Sequence, residues 1–185
     1  YYWEVGTDSL NYFLPFFRLA PIQCTSEGFP VTTGIPQMDY FISSEWFEPD
    51  NAENHYSEKL VKFKTLLSYY YRPQLPRPKP REYFGLSPDW HIYLCPHNLL
   101  KFHPDFDALI AAILRQDRAG RIVLMSGNHV YLRTLLEKRF QISMPDVCER
   151  ILFLPRQNQA DFLNILAISD VMLDTLHFGG GNVTY

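Results

Sequence analysis

Long apolar runs are missing from the sequence. The best candidate, residues 10–20, is interrupted by Asn11, Pro15 and Arg18, whereas a membrane-spanning helix needs about 18 or more consecutive apolar residues. A charged, apolar and small-residue signal peptide is also absent from the first residues. The sequence therefore predicts a protein without a membrane partner.

Cysteine is scarce, with only Cys24, Cys95 and Cys148. These three residues are far apart, odd in number and without the C-x-x-C spacing of zinc sites or the density of a disulfide framework. We expect no metal site from this pattern. Free thiols fit a reducing compartment, and we expect a cytoplasmic location.

An excess of charge of one sign is missing as well. The formal net charge is -3, from 17 basic and 20 acidic residues, and the two signs are interspersed. This distribution gives no support for a nucleic-acid partner. A hydrophobic content of 46% is sufficient for a packed core. Since residues 1 and 185 lie inside patterned sequence, we expect the chain to be a fragment of a longer protein.

The N-terminal part contains short apolar runs. Residues 1–5, 21–25 and 38–42 predict strands, and residues 11–19 predict a short helix capped by Asp8 or Ser9. Seven aromatic residues within positions 1–20 predict a buried cluster. Residues 50–59 predict a helix with a solvated acidic face.

A loop rich in small residues follows the second predicted strand. It contains Gly28, Pro30, Thr32, Thr33 and Gly34. Two hydroxyls among glycines suit close approach to a polar ligand, and ordinary turn chemistry explains the same composition. Both interpretations stay open from composition alone.

Proline marks the middle of the chain. Four prolines fall within residues 73–80, which excludes a regular helix and favours extended, semi-rigid backbone. We therefore divide the chain into one domain at residues 1–72, a Pro-rich linker at residues 73–88 and a second domain at residues 89–185.

The second domain alternates strands with helices. Its predicted strands are residues 90–95, 121–126, 150–155 and 171–173, and its predicted helices are residues 105–118, 130–140 and 159–168. Gly120 is expected to end the first of these helices. This alternation predicts an α/β domain with a parallel, doubly wound sheet.

Two loops of this domain carry the chemistry of an anion site. In doubly wound sheets, ligands lie at the carboxyl ends of the strands. Asn98 and Lys101 follow the first strand, and the glycine loop of residues 179–181 follows the fourth, before Asn182 and Thr184. Glycines let backbone amides approach a ligand, and a helix beginning near Asn182 would add its positive end. Together these loops predict a diphosphate site.

Several motifs occur in the order and spacing of one family. They are Ala20-Pro-Ile-Gln23, Gly28-x-Pro-x-Thr-x-Gly34, Asp39-Tyr40, Tyr56-Ser-Glu-Lys-Leu60 and Asp170-Val-x-Leu-Asp-Thr175. On these motifs nearly the whole chain resembles the O-linked N-acetylglucosamine transferase family, which includes Spindly-type and bacterial tetratricopeptide-repeat proteins.

The resemblance implies an α/β, GT-B glycosyltransferase. The chain would span the end of the N-terminal Rossmann-like domain and the first half of the C-terminal one, which binds the nucleotide-sugar. The implied reaction transfers N-acetylglucosamine from a UDP-sugar to Ser or Thr hydroxyls of a protein acceptor, with inversion and without a catalytic metal or another cofactor. The resemblance also implies tetratricopeptide repeats N-terminal to this chain, and an isolated fragment that is inactive.

The resemblance also assigns roles to residues. Lys101 matches the lysine that contacts the diphosphate and supports its departure, and Asn98 matches a glutamine that touches the nucleotide. The phosphate loop corresponds to residues 179–184, that is Gly179, Gly180, Gly181, Asn182, Val183 and Thr184. A loop on the sugar and acceptor side corresponds to Gly28, Pro30, Thr32 and Gly34.

The sequence departs from the family at several site positions. Gly181, Asn182 and Val183 replace a histidine and two threonines, and Phe162 and Ile165 replace a histidine and an arginine. His177 and Arg156 are nearby candidates to supply the missing side chains. The loop histidines, His97, His103 and His177, are otherwise interpreted as structural or solvated.

These departures leave two alternatives open. One is a degenerate module that binds a nucleotide-sugar or a protein partner without activity. The other is transfer of a different sugar, such as fucose from GDP-fucose.

Overall fold

The computed structural model describes residues 1–6, 9–74, 77–127 and 130–184. They form two compact units, residues 1–71 and residues 72–185. Throughout these ranges, no helix combines the length and the apolar character that crossing a bilayer requires.

The first unit contains a parallel sheet of three strands. These are β1 (Cys24–Ser26), β2 (Tyr40–Ser44) and β3 (Lys59–Phe63), in the order β1-β2-β3. Cys24 pairs with Tyr40, and Tyr40 pairs with Lys59. The predicted strands at residues 21–25 and 38–42 are thus found, each shifted by one to three residues.

The helix predicted over residues 50–59 is wrong. A short 3-10 turn, Ala52–His55, is followed by β3 after three residues. The physical reason is Glu58, which was assigned to a solvated face but is 5% exposed. Its carboxylate accepts hydrogen bonds from Thr32 and Thr33, and this contact holds the chain in the extended form that leads into β3.

The N-terminal residues differ from expectation in two respects. Helix α1 (Ser9–Phe13) and the 3-10 turn Leu14–Phe17 replace the helix predicted at residues 11–19, and residues 1–5 form no regular strand. Most of the aromatic cluster is exposed, including Trp3 and Phe17, because three short strands offer too little surface to cover it. Asp8, one of the two predicted cap residues, lies outside the described residues.

The second unit has the predicted doubly wound pattern. Its parallel strands are β4 (His91–Cys95), β5 (Gly120–Met125), β6 (Ile151–Leu154) and β7 (Val171–Met172), in the order β6-β5-β4-β7. The connecting helices are α2 (Asp105–Gln116), α3 (Val130–Ser143) and α4 (Gln159–Ile168). Gly120 begins β5 instead of ending α2, because α2 already closes at Asp117.

Side chains alternate between the two faces of this sheet, as the period of a strand requires. On one face Ile122 and Leu124 pack with Phe106 and Ile110 of α2. On the opposite face Ile92, Leu94 and Val123 pack with Leu86 and with Ile165 of α4. A sheet buried on both faces holds its carboxyl edge rigidly, and this edge carries the candidate site.

Part of the predicted linker is packed onto the second unit. Lys79 forms an ion pair with Asp161 and donates its backbone N–H to Asn164 Oδ1 at 3.0 Å. Arg81 forms a bidentate pair with Asp170 at 2.9 Å, and Leu86 is 2% exposed. The predicted extended backbone is interrupted by a 3-10 turn, Arg81–Phe84, and Lys79 and Arg81 find their side-chain partners on and beside α4.

Candidate functional site

The strand order of the second sheet creates a switch point between β4 and β7. Successive strands run outward from β4 through β5 to β6, and β7 then joins β4 on its other side. Ligands of doubly wound sheets bind at this kind of switch point, outside the carboxyl ends of the strands. Here the loops that leave β4 and β7 meet.

Lys101 and the glycine loop are in contact, as the sequence analysis expected of two loops on one edge. Lys101 ends the 3-10 turn Leu99–Lys101, whose start is capped by Asn98 Oδ1 accepting from the Leu100 N–H at 3.0 Å. Lys101 Nζ donates to the carbonyl oxygen of Gly179 at 2.7 Å and lies 4.6 Å from the ring centre of Phe178. A cation is therefore fixed beside the loop.

The Asp174 carboxylate, which precedes the glycine loop, holds the backbone of that loop. Its Oδ1 accepts hydrogen bonds from the N–H groups of Thr175 and Gly180, each at 2.8 Å. Thr175 Oγ1 in turn donates to the carbonyl of Phe178 at 2.7 Å. The amide of Gly180, which the sequence analysis assigns to a phosphate, is thus held by a carboxylate in this structure.

The end of the loop is a turn. Thr184 donates its N–H to the carbonyl of Gly181 at 2.9 Å, and residues 182–184 form no helix. The helix start expected near Asn182 is therefore not found in the described part of the loop.

The three glycines have different surroundings. A Cβ on Gly180 would lie 2.4 Å from His97 Cε1 and 2.6 Å from Thr184 Oγ1, too close for any side chain. A Cβ on Gly179 would lie 3.0 Å from Asp174 Oδ2, whereas one on Gly181 would meet no atom within 4 Å. Close packing requires glycine at position 180, and position 181 has room for a side chain.

His97, interpreted from the sequence as a structural or solvated loop histidine, is buried at this edge. It follows β4 immediately, its side chain is 2% exposed, and its Nε2 lies 3.0 Å from Asp174 Oδ1. The direction does not suit a hydrogen bond, so Nε2 is buried without a hydrogen-bond partner. Burial lowers the pKa of His97, and the nearby Asp174 carboxylate opposes that shift. Its position directly before Asn98 was the available signal.

A cleft of about 280 Å³ opens beside this edge. Residues from the loops after β4, β5 and β6 line it, among them His97, Asn98, Ser126, Gly127 and Arg156. Of the two candidates for the missing basic contact, Arg156 lies in the cleft. His177 instead pairs with Asp105 at 2.8 Å.

The positions of the two altered helix residues explain part of the sequence departure. Ile165 is 0% exposed and packs with Ile92 and Val123 in the core. The isoleucine side chain therefore serves the core and offers no group to a ligand. Phe162 is partly exposed on the same helix, α4.

The small-residue loop of the first unit follows β1 and is held from within. Thr32 Oγ1 donates to Glu58 Oε2 at 2.7 Å, and the Thr33 N–H donates to Glu58 Oε1 at 2.8 Å. Burial alone would raise the pKa of Glu58, but hydrogen bonds from Thr33 and Thr32 outweigh it and lower the pKa. The two hydroxyls thus have structural partners, which favours the turn interpretation for them.

The rest of this loop is shaped by its backbone. Gly34 has φ of 67°, a left-handed conformation that favours glycine. A Cβ on Gly28 would lie 2.5 Å from Glu4 Cγ, and Pro30 is exposed.

Two motif residues of the first unit form a buried network. Gln23, which is 0% exposed, accepts from Tyr2 through Oε1 and donates through Nε2 to the carbonyls of Pro15 and Gln37. Its N–H donates to Asp39 Oδ2 at 2.8 Å. Gln23 and Asp39 therefore fix the start of β1 against the loop before β2.

Comparison with known proteins finds similar glycosyltransferases. The chain is 30% identical over 166 residues to the probable UDP-N-acetylglucosamine–peptide N-acetylglucosaminyltransferase SEC of Arabidopsis thaliana, which covers 84% of this chain and 16% of that protein. It is 27% identical over 175 residues to the corresponding protein SPINDLY of Solanum lycopersicum, covering 90% of this chain and 18% of that protein. No protein-family model matches the chain.

A solved structure is similar over nearly the whole chain. It is a lysine-to-methionine mutant of the Thermobaculum terrenum O-GlcNAc transferase, with a TM-score of 0.72 and 26% identity over 94% of this chain and 32% of that one. The chain thus resembles glycosyltransferases of the O-GlcNAc transferase family, and its parallel α/β units match part of their GT-B fold. It spans less than a fifth of the length of these two curated relatives.

Proposed function

We propose that the chain provides the donor site of a protein O-glycosyltransferase. The donor is a UDP-sugar, and N-acetylglucosamine or a related sugar passes to Ser or Thr hydroxyls of a protein acceptor. The observation that carries this proposal is the contact of Lys101 Nζ with the glycine loop at 2.7 Å, at the switch point of the second sheet.

The chemistry of the leaving group explains why this contact matters. When the anomeric carbon is attacked directly by a hydroxyl, negative charge develops on the diphosphate. Without a metal ion, that charge must be stabilised by preorganised donors. Lys101 supplies a cation and the glycine loop supplies backbone N–H groups, and a phosphate oxygen would replace the Gly179 carbonyl as the acceptor of the lysine. The attack inverts the anomeric carbon.

The neighbouring cleft suits the nucleoside. At about 280 Å³ it lies just below the roughly 300–1,000 Å³ of small-molecule pockets, so it holds one part of a nucleotide-sugar. Asn98 offers an amide and Arg156 a guanidinium. Arg156 would take over the contact that Ile165, buried in the core, cannot make.

The first unit would serve the sugar and acceptor side. The loop of Gly28, Pro30, Thr32 and Gly34 follows the carboxyl end of β1, and Glu58 fixes its shape. In this proposal the loop contributes backbone and surface, while its two threonine hydroxyls keep their structural role. Tetratricopeptide repeats outside this chain would present the acceptor.

Calorimetry with nucleotides tests the proposal. We expect the protein to bind UDP with a stoichiometry of one, and GDP at least tenfold more weakly. A radiolabelled UDP-N-acetylglucosamine assay with the complete protein should then show transfer to Ser or Thr. Absence of UDP binding would overturn the proposal. UDP binding without turnover would identify the degenerate binding module, and preference for GDP would indicate transfer of another sugar.

A further inference from the structure

Three potential metal ligands lie together outside the Lys101 contact. His103 and Asp105 stand at the start of α2, and His177 stands in the loop after β7. His177 Nε2 lies 2.8 Å from Asp105 Oδ2, and His103 Nδ1 lies 3.3 Å from the same oxygen. We call these residues the His–Asp–His cluster.

The candidate ligand atoms of the cluster lie close to one another. One ligand atom from each residue lies within 4.8 Å of the other two. Zn–N and Zn–O bonds of about 2.0–2.1 Å in a tetrahedron separate ligand atoms by about 3.3 Å. The observed separations of 2.8 and 3.3 Å therefore need shifts of only a few tenths of an ångström at these two pairs.

All three side chains of the cluster are accessible to an ion from solvent. His103 Nδ1 accepts a long hydrogen bond from the Asp105 N–H at 3.3 Å, and an ion would replace that N–H as the partner of the nitrogen lone pair. A carboxylate and two imidazoles are all exposed, and an ion can reach them from solvent.

We propose that the His–Asp–His cluster binds a divalent transition-metal ion, with Zn²⁺ as the preferred species. Two imidazole nitrogens and one carboxylate oxygen are the ligands of many zinc sites, and water completes the tetrahedron. No metal site was expected from the spacing of the cysteines. His177 lies 72 residues after Asp105 in the chain, so sequence spacing does not reveal that these ligands lie together.

The position of His177 gives the ion a structural role. His177 has φ of 68°, a left-handed conformation that is strained for a residue other than glycine. It stands two residues before Gly179, whose carbonyl accepts from Lys101. An ion bound to His177 and to the start of α2 would hold this conformation and, with it, the glycine loop.

The metal site is independent of the proposed glycosyl transfer. Its ligands do not include Lys101, and the ion takes no part in the departure of the diphosphate.

The proposal is tested by titrating ZnCl₂ into protein that carries no polyhistidine tag. We expect one ion per chain at this site, and at least tenfold weaker binding in His177→Ala and in His103→Ala. His91→Ala is the matched control, because His91 forms an exposed pair with Asp117 at 2.8 Å outside the cluster. It should keep the affinity of the unmodified protein.

Two further measurements make the outcome decisive. Co²⁺ should give visible absorption typical of a tetrahedral site, lost in His177→Ala. Hydrogen exchange of amides 175–184 should slow when Zn²⁺ is added, with no nucleotide present. Absence of saturable binding, or equal affinity in His177→Ala and His91→Ala, would overturn the proposal whatever the result with UDP.

Discussion

Lys101 Nζ and the carbonyl oxygen of Gly179 are joined by a hydrogen bond of 2.7 Å. This bond connects the loop after β4 with the loop after β7, two segments separated by 78 residues in the chain. A cation and a glycine loop are thereby assembled at the switch point of a doubly wound sheet. The first prediction follows from this pair.

Replacement of Lys101 should remove transfer but not the fold. In Lys101→Ala we expect turnover to fall at least 100-fold, since one preorganised donor to a developing negative charge contributes about 10²–10³ in rate. The lost hydrogen bond is exposed and should change the free energy of unfolding by no more than about 1 kcal/mol. Turnover and thermal unfolding of the same preparation check both. Full activity in Lys101→Ala would refute the assigned role.

The glycine loop should tolerate a side chain at position 181 but not at position 180. Gly180→Ala places a methyl group within 2.4 Å of His97 Cε1, and we expect overpacking of about 1–3 kcal/mol with at least tenfold weaker UDP binding. Gly181→Ala is the matched control and should leave both unchanged, since no atom lies within 4 Å of the added Cβ. Equal effects of the two variants would contradict this packing.

His97 should make the stability of the protein decrease in mild acid. Burial lowers the pKa of His97 in the folded state, whereas the unfolded chain titrates near pH 6.5. Below about pH 6.5 the unfolded state binds more protons, so the contribution of His97 is complete above that pH and is lost as the pH falls toward the folded-state pKa. Urea unfolding of the wild type and of His97→Gln at pH 7.5 and 5.5 should show a smaller pH effect in the variant. An identical pH effect would refute the assignment.

Thr33 should stabilise the first unit through Glu58. Thr33→Val removes the hydroxyl that donates to the buried carboxylate, so we expect a loss of about 1–3 kcal/mol in the free energy of unfolding. Thr134→Val is the control, because Thr134 is exposed on α3 and should change stability by less than about 0.5 kcal/mol. Chemical denaturation measures both. A neutral Thr33→Val would show that Glu58 does not depend on this bond.

Arg81 should anchor the Pro-rich segment to the second unit. It forms the bidentate pair with Asp170 and also donates to the carbonyls of Trp90 and Ile168 at 2.6 and 3.0 Å. Because several charge-assisted bonds are lost together, we expect Arg81→Ala to cost about 1.5–3 kcal/mol. The exposed pair of Arg115 with Asp146 gives the control, and Arg115→Ala should lower the free energy of unfolding clearly less than Arg81→Ala, because solvent screens an exposed pair. Similar losses in both variants would contradict an anchoring role.

The second unit could be predicted from sequence because its signals are strong and local. Helix α2 repeats Phe106, Ile110 and Leu114 at helical spacing, and the strands are continuous apolar runs. The same reasoning failed at residues 50–59, because nothing local shows that Glu58 is buried by partners about 25 residues earlier. Burial of a charged residue depends on the tertiary fold.

Only part of the candidate site could be predicted from the sequence. Lys101 and the glycine loop could be placed together because all strands of a parallel sheet end at the same edge. The role of His97 and the hold of Asp174 on Gly180 depend on side-chain directions within two loops, which no periodicity encodes. The cluster of His103, Asp105 and His177 also depends on how these loops cross.

The hold of Asp174 on the Gly180 amide has a consequence for binding kinetics. Because the carboxylate closes the loop from residue 174 to residue 180, the loop has its turn geometry before any nucleotide arrives. The entropy cost of ordering these residues is then met during folding and not during association. In the proposed donor site, a diphosphate would have only to displace a carboxylate oxygen and a carbonyl, and we expect differences in affinity among related nucleotides to reside in their dissociation rates.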